Sequence, residues 1–293
     1  MKAKWSTFFI LAIFGLSACL NDGGDPNAAL NAETKLIDEH LASTGVSPNR
    51  ILYDNSRGIR FVVDTYGNDA PPQVGQRVKI TYSGRLFSDG TPFSGGILED
   101  DLEDIVPEGL KTTLAAMLKG TEARIYIPSK YGYGETGTAT VPPNSILVYD
   151  VILDDVMRTP TQLERFKADT AAINTYIEEN IEGTVVQHAS GIRFTVDEVG
   201  GGSHPTPYSI VDFEYELRQL TGTGPGAVLD QGTLTDYAVF GLIDGMKIAL
   251  PLIGEGTTAT FYFPSILGYG TQGSQGVPAN ANLVFEVKLT DVR

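Results

Sequence analysis

Cysteine occurs once in this chain of 293 residues, histidine three times and tryptophan once. A single cysteine, Cys19, excludes an internal disulfide and any cysteine-built metal cluster. His40, His188 and His204 lie far apart in the sequence and none stands in a ligand spacing such as His-Glu-x-x-His, so no metal and no cofactor are assigned. Positive charge is also scarce. Lys and Arg number 21 against 36 Asp and Glu, a formal net charge of −15, and no Lys/Arg-rich run offers a local exception. Such a balance argues against a nucleic-acid partner. The acidic run Glu99 to Asp104 lacks the alternating ligands and central Gly of an EF-hand loop, so it reads as a solvated flap. Gly200-Gly-Gly202 is followed by neither Lys-Ser/Thr nor a helix pattern, which argues against a phosphate cradle.

Long apolar runs are missing too. Phe8 to Leu16 is too short to cross a membrane, and with Lys2 and Lys4 ahead of it has the order of a signal peptide. Leu16-Ser-Ala-Cys19 resembles a bacterial lipobox. The resemblance implies a signal peptide over 1–18, lipid on Cys19, and a cell-envelope protein held to the membrane by a lipid anchor. Loss of Lys2 and Lys4 with the leader takes the charge from −15 to −17. Leu20 follows the cysteine where an Asp would signal inner-membrane retention in enteric bacteria, so the outer membrane is the expected site. An uncleaved anchor or a chance cysteine is the alternative. Residues 19–32 are small and polar and read as a flexible tether.

What the chain has in plenty is internal repetition. Ala123 to Leu153 returns without a gap as Ala259 to Leu289, pairing Tyr133 with Tyr269, Gly134 with Gly270, Asn144 with Asn280 and Tyr149 with Phe285. Gly58-Ile-Arg-Phe61 returns as Gly191-Ile-Arg-Phe194 at an offset of 133 rather than 136, so the second copy carries three extra residues between the equivalents of Tyr82 and Val106. Length, 42% hydrophobic content and the repeat together imply two domains. Ala123, Ile125 and Ile127 alternate with Arg124 and Tyr126 as in a half-buried strand, Pro128 ends the ladder, and Leu147, Tyr149, Val151 and Leu153 share one face of another strand. Gly132 and Gly134 bracket Tyr133, a pattern suited to a tight bend presenting one aromatic.

Two helices stand out. Leu36, Ile37, His40 and Leu41 share a face between 33 and 43, with His40 a packed residue rather than a ligand. Thr159-Pro160-Thr161 opens the second, with Thr161 and Glu164 able to form a capping box. Leu163, Phe166, Thr170, Ile173, Ile177 and Ile181 then form its apolar face. That face packs on its own domain or, alternatively, serves as an interdomain arm or dimer seam.

The run Ile127-Pro-Ser-x-x-Gly-Tyr-Gly134, then Val141-Pro-Pro-Asn144, then Leu147 to Leu153, resembles the C-terminal half of FKBP-type peptidyl-prolyl cis-trans isomerases. Val74 to Phe93 resembles that family's first long strand and hairpin, so the match spans about 56 to 156. The resemblance implies an α+β fold of two tandem FKBP-like domains, 33–158 and 159–293, each an antiparallel β-sheet wrapped around a short α-helix. It also implies a pocket. In the first domain Tyr133, Phe93 and Tyr82 are the expected catalytic residues, with Val106, Pro107, Leu110 and Tyr149 binding substrate. In the second, Tyr215, Leu242, Ile243, Met246, Tyr269 and Phe285 are the expected substrate-binding residues. For Tyr82 and Tyr149 taken singly, plain core packing stands equally open.

This sequence departs from the family in places. Ser94 stands where an acid usually follows the Phe, Leu110 replaces a Trp, and Pro107 replaces an Ile whose N–H binds ligand, a donor that Pro lacks. In the second copy the Phe93 position falls near Val228 or Leu229, Asp230 stands where the family's acid does, and Gly222 to Gly226 lengthens the rim. The expected function is isomerisation of proline-containing segments of envelope or secreted client proteins, with the first domain favoured. A non-catalytic proline-peptide-binding module or holdase chaperone is the alternative.

Overall fold

A computed structural model describes residues 25–73 and 75–293; the leader and Cys19 lie outside the described residues. The repeat becomes two six-stranded sheets of one plan. The first is built from β1 (Ile51–Asp54), β2 (Ile59–Thr65), β3 (Arg77–Leu86), β4 (Pro92–Asp101), β5 (Glu122–Ile127) and β6 (Leu147–Met157), in the spatial order β1-β2-β5-β6-β3-β4. The second contains β7 (Val186–Gln187), β8 (Arg193–Glu198), β9 (Ile210–Thr221), β10 (Gly224–Ala238), β11 (Thr258–Phe263) and β12 (Leu283–Val292). Its order from one edge, β7-β8-β11-β12-β9-β10, repeats the first. Every pairing between these strands is antiparallel.

A short helix fills the inner face of each sheet. In the first domain α2 (Glu108–Ala116) sets Leu110 and Leu114 into one cluster with Ile80, Ile125, Tyr149 and Leu153. In the second α4 (Asp244–Ala249) does the same with Met246, Ile248 and Ala249. The inner face read from the sequence holds, with Leu147, Tyr149, Val151 and Leu153 all buried, but the strands are not simply half-buried, because Tyr126 and Val148 on the other face are buried as well.

A longer helix covers the outer face. From α1 (Ala28–Ser43), Ile37 and Leu41 pack on Val62, Tyr126 and Val148; from α3 (Pro160–Asn180), Ile173 and Ile177 pack on Tyr262, Val284 and Leu220. Each such buried aliphatic side chain contributes about 1.5–3 kcal/mol. α3 therefore docks on its own domain. The two helices are pinned by one device repeated: Glu33 accepts from the N–H and Oγ of Ser129, each at 2.7 Å, and Asp169 accepts from those groups of Ser265. Asp38 takes the Arg60 guanidinium at 2.7 and 3.0 Å, and Asn174 takes Nε of Arg193 at 3.0 Å.

Several expectations need correction. α1 begins at Ala28, inside the stretch read as tether, because Leu30 is buried. Leu36 is 51% exposed, since Leu30, Ile37 and Leu41 already form the docking stripe. Thr159, not Thr161, caps α3, in a capping box with Gln162 rather than Glu164, and Leu163 is 40% exposed. The acidic run is solvated, with Glu99, Asp101, Glu103 and Asp104 exposed, but it is not a flap throughout: Glu99 to Asp101 ends β4, where Arg77 pairs with Glu99 and Asp101, and Leu102 is buried. The Gly222 to Gly226 tip does not extend a pocket rim, because Gly224 lies against Tyr176 of α3 on the outer side. The extra residues of the second copy lie instead in β10, taken up by irregularities between Pro225 and Tyr237.

Candidate proline pocket

The bend that carries Tyr133 is built by backbone bonds around two left-handed residues. Gly134, at φ 59°, donates to Ser129 O at 2.9 Å, and its own carbonyl accepts from the N–H of Asn144, at φ 54°, at 2.8 Å. Gly270 and Asn280 repeat the arrangement at φ 54° and 56°. Positive φ favours Gly and Asn, which is why these two residue types stand here.

The first domain brings four aromatic rings together on the inner side of the sheet. Phe93 of β4 stands edge-on to Tyr149 of β6 at 5.5 Å and to Tyr133 at 6.4 Å, and Tyr82 of β3 lies 6.1 Å from Tyr149. Such edge-on pairs are favourable aromatic geometry. Leu110 is fully buried beneath them in the same core. Tyr82 OH meets Ser94 Oγ at 2.9 Å, so the hydroxyl takes the place expected of an acid. Burial, reinforced by the Tyr133 and Tyr82 phenols, pushes the Tyr149 hydroxyl far above its ordinary value, which leaves it protonated at neutral pH. Pro107 is buried as the residue preceding α2, and its carbonyl accepts from Leu110 and Lys111. Val106, at 67% exposure, stands on the surface rather than in the aromatic wall.

In the second domain Tyr215, Leu242, Ile243 and Tyr269 are partly buried against a core that contains Met246 and Phe285. Tyr215 OH donates to Asp230 Oδ2 at 2.8 Å, the counterpart of the Tyr82–Ser94 pair. Burial, that bond and the carboxylate charge raise the Tyr215 phenol to about 12. Burial, with Asp230 near it, also raises Tyr269. The register settles the position equivalent to Phe93. Gly84 faces Ser94 in the first sheet and Leu217 faces Asp230 in the second, so Leu229 holds the Phe93 place. The Ile243 N–H takes no acceptor among the described residues.

One pair of positions escaped the sequence reading. A Cβ on Gly84 would lie 2.7 Å from Cζ of Phe93 and 3.1 Å from Cε1 of Tyr149, so both rings depend on that glycine for their space. Its counterpart is Leu217, 1% exposed, a side chain in the volume that the first pocket gives to aromatic rings. The signal was present in the repeat, but its meaning requires knowing which face of β3 looks into the pocket.

The family model for FKBP-type peptidyl-prolyl cis-trans isomerases matches residues 68–154 and again 201–290. The chain belongs to the FKBP-type isomerase family. Similar members include a probable FkpA isomerase of Neisseria meningitidis, 35% identical over 136 residues, covering 44% of this chain and 50% of that protein. FkpA of Aeromonas hydrophila is 30% identical over 135 residues, again 44% of this chain and 50% of the relative. The 22 kDa FKBP-type isomerase of Escherichia coli is 28% identical over 196 residues, 66% of this chain and 87% of its own. The chain thus spans about half the length of the first two curated relatives it matches. The two matched regions cover β3 to β6 of the first sheet and β9 to β12 of the second up to a few terminal residues, and each contains one of the tyrosine bends.

Proposed function

We propose that the chain is a peptidyl-prolyl cis-trans isomerase that assists folding of envelope or secreted proteins, and that its first domain is the more active. The observation that carries this reading is the ring cluster of Phe93, Tyr133, Tyr82 and Tyr149, for which Gly84 leaves room where the second domain has Leu217. Rotation about an Xaa-Pro bond breaks amide resonance against a barrier of about 18–20 kcal/mol. The twisted amide has lost charge separation relative to the planar one, so a water-poor aromatic pocket lowers the transition state relative to the ground state. This chemistry calls for no nucleophile, base or metal. On this reading Tyr133 holds a carbonyl of the bound segment through its hydroxyl, while Phe93 and Tyr149 exclude water from the ring of the proline.

A second reading has one observation in its favour: Pro107 offers no N–H where the pocket's rim would donate one, so the domain would bind proline segments as a holdase without turning them over. A protease-coupled assay on Xaa-Pro peptides with the intact chain separates the two. The expected outcome is acceleration that falls several-fold in Tyr133→Phe, as loss of one hydrogen bond of about 0.5–1.5 kcal/mol implies, and further in Phe93→Ala. Peptide binding without acceleration would transfer the assignment to the holdase.

We further propose that the protein is carried to the outer membrane by lipid on Cys19, supported by Lys2, Lys4, the short apolar run and Leu16-Ser-Ala-Cys19 occurring together. Cys19→Ala is expected to leave the membrane fraction and lose the mass of the lipid; a variant that stays membrane-bound at unchanged mass contradicts the anchor.

A further inference from the structure

The outer face of the first domain holds a second cavity, unrelated to the aromatic cluster. It has a volume of about 350 Å³ and lies between the end of α1 and the back of the sheet. Cavities of this size fall within the range of about 300–1,000 Å³ in which proteins hold small molecules. Its apolar wall comes from Val46, Phe87 and Val148, and Tyr126 and His40 close one side, with His40 edge-on to Phe87 at 5.1 Å.

The charges around it run against the character of the chain. Arg50, Arg85 and Arg124 all line the cavity in a protein whose net charge is −15. Two carboxylates face these three cations. Asp64 pairs with Arg50, and Asp150 is shared by Arg85 and Arg124. One positive charge is left over. Among the described residues, Arg50 Nη1 and Arg85 Nε and Nη2 take no acceptor in a side-chain hydrogen bond, while Arg124, bonded through Nε to Asp150, also lies within reach of the Tyr126 hydroxyl. The carbonyls at the end of α1 do not oppose an anion freely, since Ser43 and Thr44 hydroxyls already donate to those of His40 and Leu41. Burial raises the Tyr126 phenol, which keeps its proton available as a donor.

The repeat supplies an internal comparison. Arg85 and Asp150 have counterparts in Arg218 and Glu286, but Arg124 becomes Thr260 and His40 becomes Tyr176. Arg218 is bonded to Glu216 and Gly226 O, and the Tyr176 ring lies 5.9 Å from Tyr262 and where a Cβ on Gly224 would come within 3.3 Å of it. The second domain thus places an aromatic ring where the first leaves space and removes an arginine from the same place. A helix that served only to cover the sheet would need neither the gap nor the extra arginine.

We propose that this cavity is a binding site for a small amphipathic monoanion, an apolar body in the slot beside Phe87 and Val148 and one carboxylate on Arg50 and Arg124. Paired charge and apolar contact are both required, so a neutral molecule of the same shape binds more weakly.

Octanoate and 1-octanol, titrated calorimetrically into the full chain and two variants, test it. Arg124→Thr installs the second domain's residue and removes charge; His40→Tyr installs its ring and fills space without touching an arginine. Octanoate is expected to bind at least tenfold more tightly than octanol, and to lose at least tenfold in each variant that retains the wild-type circular dichroism. A loss in either folded variant supports the site, so misfolding of one leaves the other to decide. No octanoate binding, equal binding of octanol, or octanoate binding unchanged in the folded variants would overturn it.

Discussion

Tyr215 shows how a single side chain ties the pocket to pH. Its phenol is partly buried, bonded to Asp230 and placed beside that carboxylate, and all three effects disfavour the phenolate, raising it from the ordinary 10.0 to about 12. Below pH 10 the folded and unfolded chains both keep the proton and the residue adds no slope. Between about 10 and 12 the unfolded chain loses the proton that the folded chain retains, so stability falls as pH rises, and the slope ends above about 12. Tyr262, raised to about 12 by burial and the neighbouring Tyr176, Asp197 and Glu286, acts in the same window. Urea unfolding between pH 9 and 12 is expected to show the decline, and Tyr215→Phe to make it shallower without abolishing it. An unaltered slope in that variant would contradict the coupling to Asp230.

At the scale of elements, the repeated carboxylate anchors make a graded prediction. Asp169 is buried and holds both the N–H and the Oγ of Ser265, with Arg165 at 2.8 Å, whereas the Glu33–Ser129 contact is only part-buried. Bonds to charged groups contribute about 1.5–3 kcal/mol, so Asp169→Ala is expected to cost about 3 kcal/mol and Glu33→Ala about 1.5 kcal/mol in urea unfolding. Equal and negligible costs would show that α1 and α3 are held by apolar contact alone. Strands were the most legible elements, because strict alternation over Ala123 to Ile127 and Leu147 to Leu153 leaves one choice of face. Helix ends were less legible. Thr159 and Thr161 are both plausible caps, and only the bond from the N–H of Gln162 decides between them. The helix start at Ala28 was hidden because Leu30 is one apolar residue in a small polar stretch, and its docking partner lies in the sheet. Motif and repeat led to the four rings that the fold gathers, Tyr82, Phe93, Tyr133 and Tyr149, but also to Val106, which stands exposed. What the chain alone could not reveal was Gly84, whose role depends on two rings from β4 and β6 converging on β3.

At the scale of the whole molecule, the two sheets are joined by more than the chain that runs from β6 into α3. Tyr208 of the second domain packs edge-on to Phe61 and beside Tyr66 of the first, Gln76 meets Gln162 at 3.1 Å, and Gln73 reaches Asp244 at 3.3 Å. One site gathers four aromatic rings, and the other keeps Tyr215, Tyr269 and Phe285 but carries Leu229 at the Phe93 place and Leu217 at the Gly84 place, so two like sheets need not have two like activities. The measurement that bears most directly on this is kcat/KM of the intact chain for an Xaa-Pro peptide in Gly84→Leu and in Tyr269→Phe. The account predicts that Gly84→Leu, which gives the first pocket the side chain of the second, lowers kcat/KM at least tenfold, a loss of about 1.4 kcal/mol, with the circular dichroism unchanged, while Tyr269→Phe leaves it nearly unaltered. A wild-type rate in folded Gly84→Leu together with a slowed Tyr269→Phe would contradict it.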